Sequence, residues 1–398
     1  ISGYSATGSE YDIRDLASNI LDQTEVAVDP AITNIFVSDP SVEATIGVQL
    51  DKLEDDLSAV SSSATSDVHF SVNDSARDIA DALMSAGASL ENAEEVVVDG
   101  GTVSVSEAAD IQSIGNYSAA ASDYTIEDSS GAILASGNYN VVVDSGVEQV
   151  FVTDTVSVAD GVSLSDMEVA LEAERGAETA DIAFDVAGSA SDIINNASDL
   201  SGASIVTVTD GPVIAADGVA LNTLEVSLEG DDDADVYTNV EFSVEDSAPA
   251  IAAELDGLQG GSIDALDGAE SLVVSGGDTT VQGAADIQSL SGIYDASNSA
   301  YSITDTAGVI LGASETVIDE GVSTINVDGN VGAGVGVQLG VLEDVSLNLT
   351  TGFSADINFN VDDDANLIAQ ALADNGNGAL NNADDVEVIG GDVSMASA

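Results

Sequence analysis

Residues 70–80 read FSVNDSARDIA: an aromatic, alternating aliphatic and polar residues, an Asp, then apolar residues at helical spacing. The same pattern starts at Tyr11 (YDIRDLASNIL), Tyr124 (YTIEDSSGAIL), Phe184 (FDVAGSASDII), Phe242 (FSVEDSAPAIA), Tyr301 (YSITDTAGVIL) and Phe359 (FNVDDDANLIA). Successive starts lie 59, 54, 60, 58, 59 and 58 residues apart, so one supersecondary unit recurs along the chain. Each unit is too small to bury a core alone, and neighbours are expected to share one.

Within a unit, Phe70 and Val72 alternate with Ser71 and Asn73, which predicts a short strand. Asp74 occupies an N-cap position, and Ala76, Ile79, Ala80 and Leu83 follow at the spacing of a helix face. Equivalent caps are expected at Asp15, Asp128, Asp246, Asp305 and Asp363, whereas the fourth unit carries Gly188. The second half of a unit reads either as a strand with a Gly pair (100/101, 276/277, 390/391), which permits a turn at positive φ, or as GVQLDKLEDDLS (47–58), GVSLSDMEVALE (161–172) and GVQLGVLEDVSL (336–347). Two unit types therefore interleave.

The expected fold is a β-rich α/β repeat array of seven units of strand, Asp-capped short helix and further strands. It is either a solenoid or a row of chained small modules, with helix-capped β-sandwiches as the rival. The boundaries are 1–10 (the tail of a preceding-type unit), 11–69, 70–123, 124–183, 184–241, 242–300, 301–358 and an incomplete 359–398.

The chain has 398 residues and a formal charge of -69, from 73 acids (49 Asp and 24 Glu) against Arg14, Lys52, Arg77 and Arg175. That charge excludes electrostatic binding of nucleic acid or an anionic membrane and demands cations, whether Ca²⁺ at defined sites or salt around a halophilic surface. The excess of Asp leans towards Ca²⁺, which takes six to eight oxygens from short carboxylates and carbonyls on loops. Candidate ligands are Asp231, Asp232, Asp233 and Asp235 in GDDDAD, Asp328 in VDGNVG, and Asp362, Asp363 and Asp364 in VDDDAN. None of these clusters has the spacing of an EF-hand loop, and the GGxGxD motif is absent.

Catalytic equipment is sparse: no Cys, His69 alone of its kind, no P-loop and no GxSxG elbow. No stretch is long and apolar enough for a membrane span. Any export leader is expected to have been removed or to lie outside this chain, and sequons at Asn73, Asn116, Asn196 and Asn348 are candidate glycan sites if the protein is exported.

The first eleven residues, ISGYSATGSEY, overlay IGNYSAAASDY (114–124) with six identities, and the last nine, GGDVSMASA, overlay GGTVSVSEA (100–108). The expectation is either a window of a longer array or subunits that meet head to tail.

The pattern [YF]-x-[IV]-x-D-[ST]-A-x-x-[IL], followed by V-x-V-x-G-G-x-V-S-V-x-x-A-A-x-I, resembles repeats of very large exported bacterial proteins: surface-layer proteins, repetitive adhesins and relatives of the RTX family. The resemblance covers nearly the whole chain and is best at 70–124 and 242–311. It implies secretion, calcium dependence and a mechanical role in a surface layer, filament or adhesive stalk, at an extracellular or cell-surface location; it transfers no ligand residue. The leading expectation is a non-enzymatic structural protein, stabilised by Ca²⁺, whose partner is itself. The alternatives are the spacer or ligand-binding part of an adhesin that recognises a cell-surface glycan and, third, a polysaccharide-degrading enzyme on a solenoid.

Overall fold

The computed structural model describes residues 9–23, 29–60, 67–85, 87–176, 181–200, 202–229, 239–257, 263–313, 319–349, 355–376 and 378–391. The chain divides into two compact units, Ile1–Ala187 with Asn196–Ser204, and Gly188–Asn195 with Ile205–Ala398.

In the first unit strands and helices alternate: β1 (Tyr11–Asp15), α1 (Ala17–Asp22), β2 (Ile32–Val37), α2 (Ala44–Val60), β3 (Asp67–His69), β4 (Ser71–Asp74), α3 (Ala76–Leu83), β5 (Glu95–Val103), α4 (Val105–Gln112), β6 (Asp123–Asp128), α5 (Ser130–Ile133), α6 (Tyr139–Val142), β7 (Val147–Val152), β8 (Val156–Ser157), α7 (Val158–Arg175) and β9 (Asp181–Gly188). The second unit continues with α8 (Ala190–Asn195), β10 (Ala203–Val208), α9 (Ala215–Glu229), β11 (Asn239–Glu241), β12 (Ser243–Asp246), α10 (Ala248–Gly257), β13 (Ser271–Val274), β14 (Asp278–Thr279), α11 (Val281–Ser289), β15 (Tyr301–Asp305), α12 (Ala307–Gly312), β16 (Val322–Val327), α13 (Ala333–Leu349), β17 (Asp356–Asn358), β18 (Asn360–Asp364), α14 (Ala365–Asn375) and β19 (Asp385–Gly390). This is an α/β fold with fourteen α-helices among the described residues.

The sheets run in sequence order. The first unit holds β1–β2–β3 and β4–β5–β6–β7–β9, with β8 also on β9; the second holds β10–β11, β12–β13, β14–β15–β16–β17 and β18–β19. The pairings are parallel. A parallel neighbour needs a crossover to bring the chain back to the same end, and a helix supplies it in most cases. Burial alternates along the strands: Val96 and Val98 of β5 are buried while Val97 and Asp99 are not. Such alternation means that one face of the sheet is packed and the other meets solvent.

Phe70, Phe184, Phe242, Phe359, Tyr124 and Tyr301 are buried, each worth about 1.5–3 kcal/mol of apolar burial for a phenylalanine-sized side chain; Tyr11, at a sheet edge, is not. The long helices press closely on this core. A Cβ at Gly47 in α2, Gly161 in α7, Gly218 in α9 or Gly336 in α13 would stand 2.7–2.9 Å from Cγ2 of Val72, Val186, Val244 or Val361. The same helix-to-strand contact thus recurs four times.

The pair Gly100–Gly101 serves a different purpose from a chain-reversing turn. Gly100 and Gly101 have φ of 75° and 94° and lie inside β5, where the register shifts between Asp99 and Thr102. The shift is a bulge in a continuing strand.

Candidate functional site: strand-end aspartates and exposed strands

The six aspartates expected to cap the helix that follows them sit on strands: Asp15, Asp74, Asp128, Asp246 and Asp305 are the last residues of β1, β4, β6, β12 and β15, and Asp363 is in β18. The N-cap of the following helix is the next residue in each described case: Leu16, Ser75, Ser129, Thr306 and Asp364. Sequence reasoning placed the cap one residue early, because a strand-final Asp and an N-cap Asp look alike when each precedes an apolar run.

The carboxylates cap a different helix. Oδ2 of Asp74, Asp128, Asp246, Asp305 and Asp363 accepts from the first N–H of the preceding long or companion helix, at Ala44 (2.9 Å), Val105 (3.2 Å), Ala215 (3.0 Å), Val281 (3.3 Å) and Ala333 (2.9 Å). Oδ1 of each accepts from the N–H of the next residue at 2.7–2.9 Å. Asp39, Asp154 and Asp210, which follow other strands, do the same for Ala17 (2.8 Å), Ser130 (2.6 Å) and Ala190 (3.1 Å). Each bond joins one strand to the helix of the strand before it. It places negative charge at the positive end of the helix dipole, which adds about 0.3–1 kcal/mol to the hydrogen bond. Where β13 follows α10, the Gly276 carbonyl takes this role, accepting from Ala248 N–H at 2.8 Å. Asp15 belongs to the first described strand; its Oδ1 accepts from Leu16 N–H and the Asn19 amide, and these bonds hold its pKa below the usual carboxylate value.

Of the metal-ligand candidates, Asp231, Asp232, Asp233 and Asp235 lie outside the described residues. Asp328 is exposed beyond β16. Asp362, Asp363 and Asp364 are successive in β18, so their side chains alternate between faces and do not converge. Asp363 bonds Ala333, Asp364 caps α14 through Asn366, and Asp362 lies 3.5 Å from the Asn330 amide. Among the described residues no three His, Cys, Asp or Glu side chains group as a metal site.

Two part-buried polar networks escaped sequence reasoning. Tyr117 Oη donates to Asp144 (2.8 Å), which also accepts from Gly146 N–H, and the Gln112 amide donates to Tyr124 Oη (2.7 Å). Tyr294, Asp319, Gly321, Gln288 and Tyr301 repeat the arrangement. Burial raises the Tyr117 and Tyr294 phenols and pushes Tyr124 and Tyr301 to about 12, so all four are neutral hydrogen-bonding groups at physiological pH. A second set comprises Glu54, Glu168, Glu225 and Glu343, each seven residues after one of the core-facing helix glycines. Val68 N–H donates to Glu54 (2.9 Å) and Ile182 N–H to Glu168 (3.4 Å). Burial raises the pKa of Glu54, Glu168 and Glu343, with Asp67, Asp181 and Asp356 adding repulsion in turn. The recurring Gly-x₆-Glu spacing was the available signal.

His69 stacks on Phe36 at 4.5 Å and meets Glu94 at 2.7 Å, and the Arg14 guanidinium carbon lies over the Phe36 ring at 4.7 Å from its centroid. An open depression of about 450 Å³ beside α5, α6 and α7 is lined by Leu134, Tyr139, Ser163, Asp166 and Met167 among others; Asp166 is the sole acid lining it.

The remaining feature is a pair of exposed strands. β1 pairs with β2 and β19 with β18. Tyr11, Val386, Val388 and Ile389 on these strands are exposed apolar side chains. No protein-family model matches the chain, and no curated protein does either.

Proposed function

We propose that the protein is a non-enzymatic, extracellular structural element, an acidic α/β solenoid that associates with its own copies into a surface layer or filament, with Ca²⁺ neutralising its carboxylates. In this reading the seven sequence units are each two strand–helix rungs. One rung begins with the aromatic pattern, and its companion carries either a long helix with a core-facing glycine or a Gly-pair bulge.

The observation that carries the reading is the aspartate bond from the end of one strand to the helix of the strand before it, found eight times at 2.6–3.3 Å. Carboxylates of this set are committed to joining one rung to the next, which suits a mechanical element. Sedimentation velocity over a wide concentration range with millimolar Ca²⁺ tests this: growth in mass is expected, and a monomer under every condition overturns it.

A further inference from the structure

The third unit departs from its relatives between α5 and β7. Asp29, Asp144 and Asp319 are equivalent, since Oδ1 of each accepts from the N–H two residues on, at Ala31, Gly146 and Gly321, at 2.9 Å. Tyr124 precedes Asp144 by 20 residues, whereas Tyr11 precedes Asp29 and Tyr301 precedes Asp319 by 18. The longer connection holds α6, and it is firmly tied down. Gly137 takes a φ of 111°, which favours glycine, and the Asn138 amide donates to the Ala132 carbonyl at 2.8 Å. Val142 is fully buried, and the Gln112 amide donates to the Val141 carbonyl at 2.8 Å.

On this support Tyr139 is 50% exposed, and its phenol bonds no described residue, unlike those of Tyr117, Tyr124, Tyr294 and Tyr301. It stands beside the depression of about 450 Å³, which also has the buried Ile133 and Met167 in its lining. Ser136, Ser163 and Asp166 supply polar groups, and the Ser136 hydroxyl and the Asp166 carboxylate likewise bond no described residue. Neither packing nor the strand-to-helix bonds use these groups.

The lining selects the chemistry of an occupant. No basic side chain belongs to it, so an anion would meet no counter-charge in a chain of formal charge -69. Asp166 is its sole acid, and a cation finds denser charge elsewhere, as at Asp362, Asp363 and Asp364. An uncharged molecule fits best: an apolar face for the Tyr139 ring and Met167, with hydroxyls that donate to Asp166 and exchange hydrogen bonds with the serines.

We infer that the depression binds an uncharged pyranose sugar, its C–H face on the Tyr139 ring and its hydroxyls on Asp166, Ser136 and Ser163. Glycoside hydrolysis takes a pair of carboxyl groups, and a single one lines this depression, so the sugar is held and not cleaved. The site lies within the third unit and does not depend on self-association.

Retention of the purified chain on an array of neutral, acidic and amino-sugar glycans tests this. The wild type is expected on neutral glycans that share a terminal pyranose. Tyr139→Ala is expected to lower that retention about tenfold, and Tyr139→Phe, which keeps the ring, to preserve most of it. Asp166→Asn, which keeps the shape and loses the charged acceptor, is expected to lower it several-fold, and it carries the test if Tyr139→Ala melts early. No retained glycan, retention unchanged in both Tyr139→Ala and Asp166→Asn, or retention confined to charged glycans would overturn the inference.

Discussion

Asp74 Oδ2 accepts a hydrogen bond from the Ala44 amide at 2.9 Å across thirty residues of chain, while Oδ1 of the same carboxylate accepts from Ser75 N–H. One side chain thereby fixes the end of β4 to the beginning of α2.

Asp74→Ala removes both acceptors and leaves the first N–H of α2 unpaired. Loss of a helix-terminal acceptor and its charge costs about 1–2 kcal/mol. Urea unfolding of Asp74→Ala is expected to show this loss, and Asp328→Ala, an exposed acid with no such bond, is expected to stay within about 0.5 kcal/mol of the parent. Equal effects from the two substitutions would remove the special role of the strand-end carboxylate.

The glycines of α13 give a contrast within two residues. A Cβ at Gly336 would meet Val361 at 2.7 Å, Leu380 at 3.2 Å and Phe359 at 3.3 Å, whereas one at Gly334 meets nothing within 4 Å. Gly336→Ala is expected to destabilise by about 1–3 kcal/mol through overpacking. Gly334→Ala, in open space on the same helix, is expected to stabilise by up to about 1 kcal/mol. Thermal unfolding of the pair checks both signs.

The alternation of strand and helix was legible at Phe70, Val72, Ala76 and Ile79, because period-two and helical spacing are set by backbone geometry alone. Which strand pairs with which was not, since YSITD and FSVED present the same apolar face although the strands lie in different settings. Tyr301 follows a Gly-pair strand, and Phe242 follows a strand with a long helix. GVALNTLEVSLE (218–229) had the same signature as GVSLSDMEVALE, yet the missing Gly pair in its unit was the better clue that Phe184 and Phe242 are successive strands of one kind. The direction of the Asp74 carboxylate was beyond sequence reasoning, because its partner Ala44 is brought near only by the parallel pairing. The half-buried glutamates were hidden by the abundance of acids, against which Glu168 does not stand out until its burial is known.

Burial, the nearby Asp181 and Glu172 raise the Glu168 pKa from 4.5 to about 8. A folded-state pKa above the unfolded one means that its stabilising protonated form is fully available below the unfolded value and is lost as pH rises through the folded value. Wild-type melting temperature is therefore expected to fall between about pH 5 and about pH 9, with Glu54 and Glu343 contributing in the same direction. Glu168→Gln, which keeps the shape without the charge, is expected to flatten that fall by several degrees. A variant curve parallel to the wild type would assign the pH dependence elsewhere.

Neutralisation of the surface is checked by circular dichroism during a Ca²⁺ titration from micromolar to millimolar at fixed ionic strength, with Mg²⁺ beside it. Ligands that bind the folded state raise its melting temperature by mass action. A Ca²⁺-specific rise of several degrees is expected; stabilisation only by molar monovalent salt would make the acids a solvation device.

Electron microscopy of the purified chain over a wide concentration range in millimolar Ca²⁺ tests the structural role most directly. Linear or sheet-like assemblies that grow with concentration are the expected result. Discrete single molecules of the wild type at every concentration would contradict it.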